Sequence, residues 1–353
     1  MISKKELTQG NIFKQIILLA IPIIGSSFVQ MAYNLTDIFW IGSIGSKYVT
    51  GVGTVGYLLW FSVALVFMLK VGAEVLISQS VGSKSNNKIV AIAQNTIFLT
   101  VSFALSLMLL LFFIGKQLLN LFKFADTDIY LIAENYLNVS LFGFVFLMLS
   151  LVFSGIYNGL GDSKTPFYVN SIGLILNIVL DPLLIYGWGF IPELKANGAA
   201  LASVFAQMVV CLIFIFLLRH KKREILSFIG FKENISREYI AKLIKTGLPV
   251  SIHACLFSIF AFMIAQLVSK WGAEPVAILS IGANIEAVSW MTAGGFSTAL
   301  STFTGQNYGA GNFKRIKSAF YITSLVSVVL DCLQPLHFYF CPSKLLNYST
   351  KNL

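Results

Sequence analysis

MISKKELTQGNIFKQIILLAIPIIG, residues 1–25, decides what kind of protein this is. Lysines precede an apolar run that is too long for the core of a signal peptide, and no small-residue cleavage site follows it. The stretch reads as a first membrane helix that stays with the chain. Outward from it the pattern recurs. The 353 residues are 57% hydrophobic and 11% charged, with a mean hydropathy of +0.80, whereas a soluble domain carries roughly 25% charged residues. Apolar runs of about 20 residues, long enough for a hydrocarbon layer of roughly 30 Å, repeat along most of the length.

The runs place helices near 12–36, 48–70, 89–114, 129–154, 166–187, 197–218, 242–269, 276–303 and 316–334. Lipid offers the backbone no hydrogen-bond partner, so each span must be a helix. With the N-terminus in the cytoplasm, seventeen lysines and arginines between Lys4 and Lys317 fall on the cytoplasmic side, and five (Lys47, Lys116, Lys123, Lys195, Lys270) fall outside. That asymmetry is the positive-inside pattern. It accounts for the formal charge of +10 without nucleic acid as a partner. The expected fold is an all-α, multi-pass integral membrane protein of about nine spans. A six-helix N-terminal lobe covers residues 1–218, an amphipathic cytoplasmic linker 219–241, a partial C-terminal lobe of about three helices 242–334, and an atypical tail 335–353.

An internal repeat supports two lobes. Pro22 and Pro249, Gly45 and Gly272, Gln79 and Gln306, Gly82 and Gly309, and Ile89 and Ile316 are all separated by 227 positions. Six spans separate equivalent points, so both copies enter the membrane from the same side, as in transporters with parallel repeats. The second copy has room for only half of its helices, and the tail DCLQPLHFYFCPSKLLNYSTKNL reads unlike a membrane segment. The expectation is a shortened second lobe.

An ionisable group at the centre of a membrane helix costs about 2.5–3.5 kcal/mol on insertion scales, so each needs a reason. Asp37 lies late in the first span. Asp181 lies in the fifth, one turn beyond Asn177 and so on the same helix face. Pro182 removes the partner of the Ile178 carbonyl. Two carboxylates and an amide can form an oxygen cage for a proton or Na+. Alternatively, Asp37 is solvated at the outer interface and Asp181 caps a helix break. Lys70 and Glu74 are spaced as an i, i+4 pair and read as a structural ion pair. Glu134 reads as interfacial, and His253 as a packing histidine. Glu286, in GANIEAVSW, reads as buried, either packed against a neighbouring polar group or attracting a cationic substrate in a cavity. The Gly-rich run TGVGTVG, residues 50–56, suits close helix packing where lobes slide. The 31 phenylalanines suit lipid contact and bundle filling. The four cysteines show no metal or redox spacing. With no nucleophile motif or phosphate loop, an enzyme and a bound cofactor are not expected.

Several segments together resemble the multidrug and toxic compound extrusion (MATE) transporters: LLAIPIIGSSFVQMAYNLTDIFWIGSIG, QSVGSKSNNK, GQNYGAGNFKR, SGIYNGLGDSKTP and NIVLDP. The resemblance covers about residues 10–325. It implies a two-lobe MATE-like bundle acting as a secondary antiporter in the plasma membrane, exporting small organic, often cationic, compounds against inward H+ or Na+ by alternating access, and a monomer. It implies that Asp37, Asn177 and Asp181 form the ion site, joined by Tyr136 and Ser203, and that Pro22, with Pro249 as its repeat equivalent, serves as a hinge. Neutralising the carboxylate would let the first helix bend at Pro22. The sequence departs from the family pattern at Asn158, where an Arg is frequent, and at Lys70, where small residues are usual. Competing readings are a lipid-linked oligosaccharide flippase of similar plan, for which more cavity arginines are expected, and an inactive fragment or membrane interaction subunit.

Overall fold

A computed structural model describes residues 7–122, 126–189, 192–221, 235–269, 271 and 273–340. Nine helices appear among them: α1 Ile12–Ile44, α2 Ser46–Gly82, α3 Asn86–Asn120, α4 Thr127–Gly159, α5 Lys164–Tyr186, α6 Ala196–Lys221, α7 Arg237–Ser269, α8 Ala273–Gly309 and α9 Phe313–Phe340. Seven of these, α1 to α7, are long and apolar enough to cross a membrane. Most helices outrun the spans expected from hydropathy. At 1.5 Å per residue, the 37 residues of α2 reach about 55 Å, well beyond the hydrocarbon layer. Hydropathy sees only the part in lipid, whereas backbone hydrogen bonding carries the helix into the interface.

The boundaries shift accordingly. QSVG of the second-helix loop is the last turn of α2, leaving only residues 83–85 as connection. The expected linker loses its ends to α6 and α7, and its centre, 222–234, lies outside the described residues. The expected tail begins inside α9, which continues through Pro335 to Phe340; residues 341–353 lie outside the described residues. Polar caps open two helices where the chain turns. Asn11 Oδ1 accepts from the Lys14 amide at 2.9 Å and Asp126 Oδ1 from the Asp128 amide at 2.9 Å, as N-cap side chains do.

Alternate helices start at the same end of the bundle. That end, where α1, α3, α5, α7 and α9 begin, carries most of the lysines and arginines and is called the basic end below. Within α1 to α6, one apolar core joins α2, α3, α4 and α6 through Leu69, Ile92, Phe144, Phe153 and Phe214. A second core, near the other end, gathers Ile41, Val55, Leu119, Leu137 and Ala199. A third ties α1 to α8 and α9 through Leu19, Ile23, Phe296, Phe303 and Ala319. Large rings face outward elsewhere; Phe113 is 69% and Phe142 76% exposed, as lipid contact requires.

The 227-residue offset reappears in the packing between the two halves. Gly247 of α7 presses on the carbonyl of Met68 in α2, while Gly295 of α8, the equivalent of Met68, presses on Ile24 of α1. At the basic end the contact is reciprocal. A Cβ on Gly82 would fall 1.9 Å from the Gln306 carbonyl oxygen, and one on Gly309 would fall 2.0 Å from that of Gln79. Both pairs are related by the same offset, so this seam is two-fold in all but sequence. Of the Gly-rich run, Gly51 packs on α4, but Gly53 and Gly56 meet nothing within 4 Å. The close approach between halves lies at Gly82 and Gly309 instead.

The described residues just before α1 cross the same seam. Leu7 is 2% exposed, its amide donates to Gln306 Oε1 at 3.1 Å, and its carbonyl accepts from Asn307 Nδ2 at 3.2 Å. Arg315 adds bonds to the Gly10 carbonyl at 2.9 Å and to Gln15 Oε1 at 3.1 Å.

Candidate functional site

Asp37 sits on α1 one turn beyond Tyr33, on the side that meets α5 and α6. On α5, Asn177 and Asp181 are both completely buried, and Asn177 Nδ2 donates to Asp181 Oδ1 at 3.1 Å. The Asp37 and Asp181 carboxyl groups approach closely enough to interact directly, and Asn177 also reaches Asp37. Ser203 of α6 donates its hydroxyl to Asp37 Oδ2 at 3.3 Å, and Tyr33 donates to the Ser203 carbonyl at 3.4 Å. Tyr136 of α4 is buried within electrostatic reach of both carboxylates. Thus four helices bring together the five residues assigned to the ion site, with Tyr33 as a sixth.

Three oxygens in this group are buried without a hydrogen-bond partner: Asp37 Oδ1, Asp181 Oδ2 and Asn177 Oδ1. No lysine or arginine among the described residues forms an ion pair with either aspartate. A buried carboxylate without a cation is costly, so the arrangement fits a small hard cation or a proton, whose ligands would be these oxygens. Pro182 stands in α5 without breaking it. Above the group, Ser43 and Tyr186 hydroxyls meet, and the Trp40 ring packs edge-on to Tyr186 at 6.2 Å. These contacts fasten α1 to α5 over the carboxylates.

Toward the basic end, a cavity of about 40 Å³ lies beside the group, lined in part by Gln30, Tyr33, Ser150, Ser154, Asn170 and Gln207. At roughly 10–15 Å³ per water, it has room for a few waters. Sequence reasoning missed these residues, although the signal was present. Ser203 and Gln207, Ser150 and Ser154, and Tyr33 and Asp37 are each four apart, and Asn170 and Asn177 seven apart, so polar groups stack along single helix faces.

Other expected residues fall elsewhere. Glu286 is exposed on α8 rather than buried. His253 is exposed on α7 and packs no core. Glu134 pairs with Lys116 at 2.7 Å. Lys70 and Glu74 do not close the expected ion pair, because the Lys70 ammonium lies 5.5 Å over the Phe67 ring. Pro22 and Pro249 lie inside continuous helices α1 and α7, and Ser26 donates to the Pro22 carbonyl at 3.0 Å.

These features define an all-helical membrane protein built on a repeated helix plan, with an oxygen-lined pocket inside its first six helices. A family model described as MatE matches residues 22–183 and 249–352, its two segments opening on Pro22 and Pro249. The chain belongs to this family of membrane transporters. It is 29% identical over 308 residues to a probable multidrug resistance protein, NorM, of Thermotoga maritima, covering 87% of this chain and 65% of the relative. A probable multidrug resistance protein of Bacillus subtilis is 24% identical over 317 residues, covering 88% of this chain and 67% of the relative. A transporter of the MOP superfamily from Pyrococcus furiosus has a similar structure, with a TM-score of 0.86 at 25% identity, covering 96% of this chain and 74% of that one. The chain spans 65% of the length of the Thermotoga relative.

Proposed function

We propose that this chain carries the ion-coupling half of a secondary antiporter that exports small organic compounds by alternating access. The observation that carries the reading is the trio of buried, unpartnered oxygens on Asp37, Asn177 and Asp181. Two carboxylates held together in a low-dielectric interior repel each other, and an inward-moving H+ or Na+ relieves that repulsion. Ser203 of α6 holds the Asp37 carboxylate of α1 in position, and Asn177 holds that of Asp181 on α5. Removal of charge at Asp37 loosens the contact between α1 and its neighbours, and Pro22, whose missing amide weakens the helix at that turn, supplies the place to bend. The basic end faces the cytoplasm of a cell whose plasma membrane holds the protein, following the positive-inside rule. The probable multidrug resistance relatives support export of small organic compounds, and the protein acts as a monomer on them.

Efflux of ethidium from cells expressing the 353-residue chain tests this. Wild-type efflux that follows an imposed H+ or Na+ gradient and vanishes in Asp181→Asn, with membrane insertion unchanged, is the expected result. Retained, gradient-driven efflux in both Asp37→Asn and Asp181→Asn would reject the ion site.

A further inference from the structure

A second buried carboxylate lies at the other end of the first six helices, and the coupling reading leaves it unused. Glu74 of α2 is 2% exposed at the level where α2 meets α4 and α8. The helices approach tightly there. Gly155 and Gly159, one turn apart on α4, press against the backbone of Lys70 and Glu74, one turn apart on α2. Such small residues at a four-residue spacing let helix backbones come together.

The polar neighbours of the Glu74 carboxylate are Lys70 from its own helix, Asn158 from α4 and Thr302 from α8. Lys70 is the one charged group among them, and its ammonium is turned over the Phe67 ring instead of closing an ion pair. Asn158 is 5% exposed and Thr302 is fully buried. The Asn158 Oδ1 and Thr302 Oγ1 atoms have no hydrogen-bond partner, and Gln306 Nε2, one turn further along α8, also lacks one.

A carboxylate, an amide oxygen and a hydroxyl oxygen form a hard donor set of the kind that suits cations without directional bonding. No group of three or more His, Cys, Asp or Glu able to hold a metal occurs among the described residues, so a softer metal finds no ligands here. We propose that Glu74, Asn158 and Thr302 form a second cation site that takes a sodium-sized alkali cation at the seam between the two halves. Two donors come from the first six helices and one from α8, so the bound ion bridges the halves. It adds to the Gly82 and Gly309 contacts in holding the basic end closed.

The test requires no transport. Thermal unfolding of the purified full chain in lipid nanodiscs is followed in NaCl and in choline chloride at equal ionic strength and fixed pH. The background is Asp37→Asn with Asp181→Asn, which removes the first site. The expected result is a midpoint that still rises with Na+ in this background, no rise when Glu74→Gln is added, and a Na+ concentration dependence about tenfold weaker with Thr302→Val, the equivalent of about 1.4 kcal/mol. If Glu74→Gln fails to fold, Thr302→Val and Asn158→Ala decide. A Na+ response lost in the background itself, or one that survives Glu74→Gln, overturns the site. Stabilisation by lower pH that Na+ does not compete with would make Glu74 a proton acceptor and overturns it as well.

Discussion

The two buried acidic sites of this protein solve the same problem in opposite ways. At Asp37 and Asp181 the carboxylates face each other, positioned by Asn177 and Ser203 inside one group of helices. At Glu74 a single carboxylate sits between groups, with a neutral amide from α4 and a hydroxyl from α8. On the proposed reading, the first geometry stores repulsion that a cation relieves without leaving its lobe, and the second turns a cation into a tie between lobes. Burial alone does not tell what a carboxylate does; the helices that supply its neighbours do.

The contrast can be broken experimentally, and the largest effect is expected at the first site. Asp37→Asn should reduce gradient-driven efflux to background while leaving insertion intact, as measured by dye retention and membrane fractionation. Glu74→Gln should slow efflux less and change its dependence on internal Na+ more, which assays at varied internal salt resolve. Next in size is the seam: Gly82→Val drives a side chain into the Gln306 carbonyl and should lower stability by at least about 1–3 kcal/mol, read from the unfolding midpoint in detergent. Gly53→Val, which meets no neighbour within 4 Å, should leave that midpoint in place. Ser203→Ala removes one hydrogen bond to Asp37, a loss of about 1 kcal/mol, and should shift the half-saturating concentration of the driving ion several-fold.

The smallest effect is expected at the exposed end of α2. Lys47 pairs with Asp126 at 2.6 Å and with Asp128 at 2.8 Å. The lysine beside it holds the Asp126 carboxyl below its ordinary value. A lowered carboxyl value favours the folded state above the ordinary range and loses that contribution as pH falls below it. Lys47→Ala should therefore differ slightly from wild type at neutral pH and match it once the medium is acid enough to protonate Asp126, as unfolding at the two pH values would show.

Much of this architecture was legible in the residues. The spans followed from apolar length, and the pair Asn177 and Asp181 from helix periodicity and the cost of an intramembrane charge. The repeat at 227 residues was visible in Pro22 with Pro249 and Gly82 with Gly309. What escaped was side-chain direction. The spacing of Lys70 and Glu74 implied an ion pair, but i, i+4 places two side chains on one face without saying which rotamer each takes, and Lys70 chose an aromatic ring. Glu286 seemed enclosed by its apolar neighbours in sequence, yet the face it occupies depends on the rotation of α8, which periodicity leaves open in a helix whose polar residues are spread around its circumference. Ser203 and Tyr136 came from family resemblance, although the four-residue spacing of Ser203 and Gln207 also put polar groups on one face of α6. The helix ends were missed because lipid thickness limits hydropathy but does not limit hydrogen bonding.

The reciprocal glycine contact at the basic end also restricts the ways in which this protein can evolve. Where two side chains touch, a larger residue on one side can be accommodated by a smaller one opposite. Gly82 and Gly309 each rest on a peptide carbonyl, and a carbonyl has nothing to give up. No second-site substitution on the opposing helix can restore the fit, so drift at either position is repaired only by reversion or by moving a whole helix. A duplication that produced this seam therefore produced two positions frozen for the same reason, one in each copy.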